Sequence, residues 1–197
     1  MARKSRAEMM EETRTKLIAA GRKAFAEKGF AEASMDELTA EVGLTRGALY
    51  HNFGDKKGLL AAVVEVVDNE MAARADAMVK AMKPADAWEE LVAQGLTYIE
   101  LALDPEIQRI VLKDGPAYLG DPSNWPSQNG CLVRSTQTLA KMMDDGIVKR
   151  MDAEAAARLA NGAALDAALW VAASDDPQAT LPKAQEALRH LLGGLKA

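Results

Sequence analysis

The stretch that decides the fold is Leu44-Thr45-Arg46-Gly47-Ala48-Leu49-Tyr50-His51-Asn52-Phe53, which lies between Gly43 and Gly54. A helix that begins near Thr45 places Leu49 and Phe53 four residues apart, on one face. Its outward face then carries hydroxyls, one cation and little bulk. Such a helix suits a DNA groove. A surface helix of any helical protein is the alternative interpretation, so the rest of the sequence must decide between them.

Two helices are predicted before this stretch. Ser5 and Glu8 have the spacing of a capping box, in which each side chain satisfies a backbone N–H at the helix start. Gly29 is of the residue type that ends helices in a left-handed conformation. Ser34 and Glu37 form a second predicted capping box, and a glycine ends the short helix that follows. A short helix, a glycine-containing turn and another short helix make a helix-turn-helix pattern, supported by the first helix.

Helices this short are unstable alone in water, so their apolar side chains must share a core. We expect that core to contain nine residues of the first 53: Leu17, Ile18, Phe25, Phe30, Leu38, Val42, Leu44, Leu49 and Phe53. The chain beyond this core is also predicted to be helical nearly throughout, because Ala, Leu, Met, Glu and Lys dominate it.

The later part of the chain is predicted to form one long connector helix and a helical bundle. A stripe of apolar residues predicts a helix from Asp55 to about Met82, roughly 40 Å long at about 1.5 Å per residue. Pro84 is expected to break that helix and open the next. Residues 114–130 are expected to form a loop because Gly, Pro, Asp, Ser and Asn are frequent there. Helices over 153–173 and 181–195 complete the prediction.

The predicted fold class is therefore all-α, with two domains. Residues 1–54 form an N-terminal three-helix helix-turn-helix domain. Residues 55–197 form a C-terminal helical domain, and residues 55–82 are its connector helix.

Charge is divided unevenly along the 197 residues. Residues 1–58 contain 11 Lys and Arg against 9 Asp and Glu, whereas residues 59–197 contain 13 against 20. The basic excess near the N-terminus permits DNA binding, although the whole chain carries a net charge of −5. Arg3, Lys4 and Arg6 form either a disordered arm in the minor groove or an ordinary solvated terminus.

Several classes of protein are not indicated by the sequence. The single Cys131 leaves no internal disulfide and suits a reducing compartment. No apolar run approaches the ~20 residues of a membrane span, and none resembles a secretion signal. The two histidines, His51 and His190, are far apart, and metal-ligand or phosphate-loop motifs are absent. We therefore expect a cytoplasmic protein with no membrane partner, metal, cofactor or catalytic residue.

Residues 14–60 resemble the DNA-binding domain of the tetracycline-repressor (TetR) family. The resemblance rests on Phe25-Ala26-Glu27-Lys28-Gly29-Phe30, on residues 34–38, and above all on Gly47-Ala48-Leu49-Tyr50-His51-Asn52-Phe53 followed by Lys56-Lys57. One departure is Asp55, where the family often has Ser, and Asp caps a helix as well as Ser does. The resemblance implies a homodimeric transcriptional regulator that binds a double-stranded DNA operator, most often as a ligand-controlled repressor.

DNA contacts are carried over from the resemblance by position. Arg46 is the candidate for base recognition, because a guanidinium can form two hydrogen bonds with a guanine edge. Gly47 and Ala48 let the backbone approach the groove, and the Ala48 methyl group can contact thymine. Phosphate contacts are expected from Ser34, Thr39, Thr45, Tyr50, His51 and Lys56. For Ser34, a role as a helix cap is equally compatible with the sequence.

A pocket for a small apolar or amphipathic effector is implied in the C-terminal domain. Its candidate residues are mostly aromatic or apolar: Trp88, Leu91, Tyr98, Tyr118, Trp125, Arg134, Met142, Asp166 and Trp170. The apolar members are individually also candidates for the core. Arg134 is either a pocket residue or simply exposed. Asp166 either anchors a polar or cationic group in the pocket or makes a polar contact in a dimer interface.

Residues 153–173 are apolar on almost every face, so this helix must be covered on more than one side. Apolar residues spaced three and four apart over 181–195 form a second face for a partner. Pairing of both helices with their two-fold mates would form a four-helix interface. Its expected contacts are Leu165, Leu169, Leu188, Leu191 and Leu195.

Three alternatives to a ligand-responsive repressor stay open at this point. The chain is an activator, or it binds DNA without responding to a ligand, or its C-terminal half is an enzyme domain. The lack of a convergent acid–base or metal set in the sequence disfavours the enzyme.

Overall fold

The computed structural model describes residues 5–197, whose regular elements are helices, as the all-α prediction requires. Arg3 and Lys4 of the predicted basic arm lie outside the described residues. The N-terminal domain, or head, contains α1 (Arg6–Glu32), α2 (Met35–Glu41) and α3 (Arg46–Phe53). The predicted connector is α4 (Lys56–Met82).

Beyond the connector, α5 (Ala87–Glu100) leads into a run of short turns. These are a 3-10 turn (Leu101–Leu103), α6 (Pro105–Ile107), a π-helical segment (Gln108–Asp114), α7 (Gly115–Leu119) and a second 3-10 turn (Pro122–Asn124). Three longer helices follow: α8 (Pro126–Asp144), α9 (Ala153–Ala173) and α10 (Pro177–Gly193). A β-bridge between Val148 and Lys196 joins the α8–α9 connection to the C-terminal residues.

Side-chain caps start the helices of the head. Ser5 and Glu8 form the predicted capping box: the Glu8 backbone nitrogen donates to Ser5 Oγ at 3.2 Å, and the Ser5 nitrogen donates to the Glu8 carboxylate at 2.6 Å. The predicted box at Ser34 is only half formed. Its hydroxyl accepts from the Glu37 backbone nitrogen at 3.4 Å, but the Glu37 carboxylate pairs with Lys28 at 2.7 Å instead of reaching back.

Two predictions about prolines are wrong. The loop expected over residues 114–130 is largely helical, because Pro116, Pro122 and Pro126 each stand in the first turn of a helix. The missing proline N–H would have no partner in a first turn in any case. Pro84 does not open a helix, since α5 begins behind the cap Asp86.

The main core runs from the head into the C-terminal helices. In the head, Leu17, Phe25, Leu38 and Leu49 are buried, and the other five predicted core residues are half-buried against them. The same cluster continues along α4 and includes residues of α5, α9 and α10. A smaller cluster around Met142 joins α8 to the first turns of α9.

Candidate nucleic-acid interface and effector site

Helix α3 is fixed by its inner face and by a cap at its start. Leu49 is fully buried beneath it, and the Thr45 hydroxyl accepts the Ala48 N–H at 3.2 Å. Asn52 donates back to the Ala48 carbonyl at 2.8 Å, within the same helix. The face left exposed is the one that the sequence predicts: Thr45, Arg46, Gly47, Tyr50 and His51.

The Arg46 guanidinium is held at the surface by two neighbours. Its Nε and Nη1 lie 3.3 and 3.4 Å from oxygens of the Asp36 carboxylate. Its Nη2 donates to the Tyr50 hydroxyl at 3.3 Å. The Tyr50 hydrogen bond, followed by the charge of Asp36, raises the pKa of Arg46. Because all three side chains are exposed, water screens these contacts, and they orient the guanidinium without locking it.

Three other predicted phosphate contacts are engaged within the protein. Lys56 Nζ donates to the Ala31 carbonyl at 3.1 Å and lies 4.7 Å from the centre of the Phe30 ring. The Thr39 hydroxyl is buried and donates to a backbone carbonyl one turn earlier, at 2.9 Å. Ser34 caps α2. Phosphate contact by these three residues stays a prediction and would require them to leave the contacts seen here.

Polar contacts join α1 to the C-terminal domain. Arg22 donates two hydrogen bonds of 2.7 Å to Glu106 and pairs with Glu70 of α4 at 2.8 Å. The Glu106 hydrogen bonds are the largest cause of the raised pKa of Arg22. The Phe30 N–H donates to the Asp114 carboxylate at 2.7 Å. No local sequence signal marks this junction between the head and the C-terminal domain, because the hydrogen-bonded partners are 84 residues apart in both cases.

The nine predicted ligand-binding residues do not meet in one cavity. Tyr118 packs at a tilt against Phe30 of the head, with ring centres 4.2 Å apart. Met142 belongs to the smaller core cluster, where Leu91 also packs, and Trp88 contacts both clusters. Three others are exposed: Arg134, Asp166 and Trp170. Asp166 and Trp170 share a helical face as predicted, but that face points outward.

The remaining two candidates, Tyr98 and Trp125, belong to a polar region of the C-terminal core. Asp68 of α4 is only 4% exposed and accepts a hydrogen bond from the Gln128 amide at 3.1 Å. The Trp125 indole N–H is buried without a hydrogen-bond partner among residues 5–197, and the buried Tyr98 hydroxyl has only the poorly aligned Gln128 amide beside it. Burial, and then the charge of Asp68, raises the pKa of Tyr98. Each unsatisfied buried group costs about 1–3 kcal/mol, which marks the region as a candidate site.

Asp68 and Gln128 are absent from the residues predicted from the sequence. The available signal for Asp68 is its position four residues after Val64 and three before Met71, on the buried stripe of α4. A lone acid at a core position is unusual unless it has a partner. Gln128 carried no signal because it falls in the segment predicted as a loop.

An apolar groove of about 280 Å³ lies between α9 and α10. Its walls include Met151, Leu159, Ala163, Leu188, Leu191 and Leu195. Leu159 is 76% exposed and Leu191 is 66% exposed. Of the five predicted dimer contacts, three line this groove, whereas Leu165 and Leu169 are half-buried outside it.

Across residues 5–197, none of the helices combines the length and the apolar character needed to cross a membrane. The same part of the chain contains no group of three or more His, Cys, Asp and Glu side chains placed to hold a metal ion. The candidate sites described above are the α3 surface, the α9–α10 groove and the polar region around Asp68.

Comparison with known proteins places similar domains on both halves of the chain. Residues 17–63 match the family described as bacterial regulatory proteins, tetR family. Residues 88–195 match the tetracyclin repressor-like, C-terminal domain. The crystal structure of a TetR-family transcriptional regulator from Pectobacterium atrosepticum has 46% sequence identity and a TM-score of 0.87, over 98% of each chain.

More distant relatives extend the comparison. The HTH-type transcriptional regulator TtgR of Pseudomonas putida is 30% identical over 112 residues. That match covers 56% of this chain and spans about half of TtgR, 52% of its length. RolR, crystallised in complex with the ligand resorcinol, has the same fold, with a TM-score of 0.69 and 19% identity over 98% of each chain. The matching families and TtgR are described as regulators of transcription, not as enzymes.

Proposed function

The chain belongs to the TetR family of bacterial transcriptional regulators, and we propose that it is a homodimeric repressor that a small molecule releases from a palindromic operator. Dimers, DNA operators and small-molecule ligands are typical of the family. The observation that carries the proposal is that one chain exposes both an oriented polar face on α3 and an apolar groove between α9 and α10.

Helix α3 is the element proposed to enter the major groove of DNA. Arg46 would recognise a base edge, and Gly47 with Ala48 would keep the helix surface low enough for close approach. The exposed hydroxyls of Thr45 and Tyr50 and the ring of His51 are placed around this point and would bind phosphates. In this proposal residues 1–54 are the DNA-binding head and residues 55–197 the effector and dimerisation domain.

A second copy of the chain is the proposed occupant of the α9–α10 groove. A two-fold dimer brings the same surface of each copy together, so Leu159 and Leu191 would be covered by their own counterparts. Burial of exposed leucines is favourable in proportion to the apolar area removed from water. The dimer would present two α3 helices to a palindromic operator.

Control by a small apolar or amphipathic effector would be a shift between two populations of the dimer. The effector would bind in the C-terminal domain and favour a conformation in which the heads are displaced. The Arg22–Glu106 and Phe30–Asp114 contacts supply a physical connection between the domains. A coupling of a few kcal/mol suffices, because about 1.4 kcal/mol changes affinity tenfold.

The repressor mechanism can be tested with the full chain on an operator selected from randomised DNA. Compounds that raise the thermal stability of the protein are added to the protein–DNA complex, and DNA release is followed by fluorescence anisotropy. We expect a stabilising compound to weaken DNA binding by about tenfold or more. A compound that strengthens DNA binding would favour the opposite direction of control. Compounds that bind but leave DNA affinity unchanged would favour a ligand-independent DNA-binding protein.

A further inference from the structure

We propose that the polar region around Asp68 is the effector site of this regulator, and that it takes a cationic ligand: a primary amine attached to a small apolar body. The role of effector site rests on the proposed function, whereas the chemistry of the ligand rests on the structure alone. The site consists of Asp68 on α4, Tyr98 on α5, and Trp125 with Gln128 at the start of α8.

The Asp68 carboxylate lacks a positive partner. Its side chain is 4% exposed, and its hydrogen bond within residues 5–197 comes from the neutral amide of Gln128 at 3.1 Å. Among those residues, no Lys, Arg or His side chain forms an ion pair with it. Buried carboxylates are normally paired with a cation or bound by several donors. A ligand ammonium group supplies both the missing charge and three N–H donors.

Two aromatic side chains complete the chemistry of the site. The Trp125 indole N–H is buried without a partner in the described residues, and Trp125 is only 8% exposed. The buried Tyr98 hydroxyl lies beside the Gln128 amide but in a geometry too poor for a full hydrogen bond. The Gln128 amide donates to Asp68 at 3.1 Å and also lies beside the Tyr98 hydroxyl, so Asp68 and Tyr98 are neighbours across Gln128. Trp125 stands three residues before Gln128, and an aromatic ring close to a bound ammonium group attracts it through its π face. The same rings would cover the apolar body of the ligand.

Gln128 is the group that such a ligand would displace. Its side chain is half-buried, in the first turn of α8. Its amide can therefore turn toward solvent while the ligand ammonium takes its place on Asp68. The exchange replaces a hydrogen bond from a neutral donor with one from a cationic donor to the same carboxylate, which is the stronger of the two.

The position of Trp125 links this site to the junction between the head and the C-terminal domain. The Trp125 ring lies 2.6 Å from the place where a Cβ on Gly115 would stand, so ring and backbone are in close contact. Gly115 directly follows Asp114, whose carboxylate accepts the Phe30 N–H of the head at 2.7 Å. A ligand that moves Trp125 would therefore act on the junction through two adjacent residues.

Two probes of nearly equal shape test the ligand class: 2-phenylethylamine, which is cationic at neutral pH, and 2-phenylethanol, which is neutral. Their binding to the full-length protein is measured by calorimetry and by tryptophan fluorescence, without DNA. We expect the amine to bind about ten times more tightly than the alcohol, or better. Equal affinity for the two probes, or no amine binding at millimolar concentration, would overturn the proposal.

The variant that locates the site is Asp68→Asn, because the amide keeps the shape of the side chain and still accepts from Gln128. It is expected to abolish the preference for the amine. Asp76→Asn is the matched control: this carboxyl group is exposed on the same helix, α4, and its loss should leave the preference intact. An amine preference that survives Asp68→Asn, or that disappears in Asp76→Asn, would contradict the assignment. Amine binding that leaves a DNA complex intact would contradict the repressor mechanism and support the ligand site.

Discussion

The outward face of α3 and the groove between α9 and α10 are both exposed, yet they expose opposite chemistry. On α3, Arg46 contacts Tyr50 and Asp36, and all three are well solvated. In the groove, Leu159 and Leu191 stand mostly in water among apolar neighbours. Contact with water is favourable for the polar face of α3. For the apolar groove, covering the exposed leucines lowers the free energy. The difference indicates two kinds of partner: a polyanion for α3 and a second copy of the chain for the groove.

Charged substitutions in the α9–α10 groove are expected to have the largest effect on dimerisation and DNA binding. Leu191→Glu and Leu159→Glu each place a charge where the two copies would meet. We expect monomers by light scattering, and a loss of DNA affinity of about 100-fold or more in anisotropy titrations, because one head alone lacks the avidity of two.

Val133→Glu is the matched control for these two variants. Val133 is 57% exposed on α8 and does not line the groove. The Val133→Glu variant should have the same dimer mass by light scattering, and the same DNA affinity, as the unmodified protein. A dimer that persists with glutamate at both Leu159 and Leu191 would place the contact between copies elsewhere.

Loss of Arg46, the cation on the outward face of α3, is expected to have the next largest effect on DNA binding. Arg46→Ala should weaken binding to a selected operator by roughly tenfold and relax the base preference at one position of each half-site. The dimer mass should not change. Lys57→Ala removes a nearby exposed charge and should affect all sequences alike, with a smaller dependence of affinity on salt. If Arg46→Ala also weakens all sequences equally, Arg46 binds phosphate instead of a base.

Substitution of Asp36, which orients the Arg46 guanidinium, is expected to have the smallest effect on DNA binding. Asp36→Asn removes the negative charge that pairs with the guanidinium and lies near the DNA, while the Tyr50 contact remains. Affinity for unrelated duplexes should rise by about two- to fivefold, and selectivity for the operator should fall. Asp145→Asn, which breaks the exposed pair with Lys141 on α8, should change neither quantity. Selectivity that is unchanged in Asp36→Asn would mean that Asp36 does not position Arg46.

The polar surface could be predicted from the sequence because its determinants are local. Thr45 and Asp55 cap α3 and α4 through backbone groups three residues away. The spacing of Leu49 and Phe53 sets which face of α3 turns inward. Each of these signals acts within a single helical turn, so the outward residues follow from the sequence without knowledge of the rest of the fold.

The effector region could not be assembled in the same way, because its contacts span the chain. Asp68 and Gln128 are 60 residues apart, and Gln128 lies in a segment whose prolines suggested a loop although they begin helices. Asp166 was the more conspicuous acid, since it shares a face with Trp170. Only the packing of α9 shows that this face is exposed and that the buried acid is on α4 instead.

The most direct test of a two-fold DNA-binding regulator is the sequence that the full chain selects from a pool of randomised duplexes. Two α3 helices in successive major grooves should select an inverted repeat whose half-site centres are about 10 base pairs, or roughly 34 Å, apart, or a multiple of this spacing. A direct repeat, an isolated half-site or the absence of any enriched sequence would contradict the two-fold arrangement of α3.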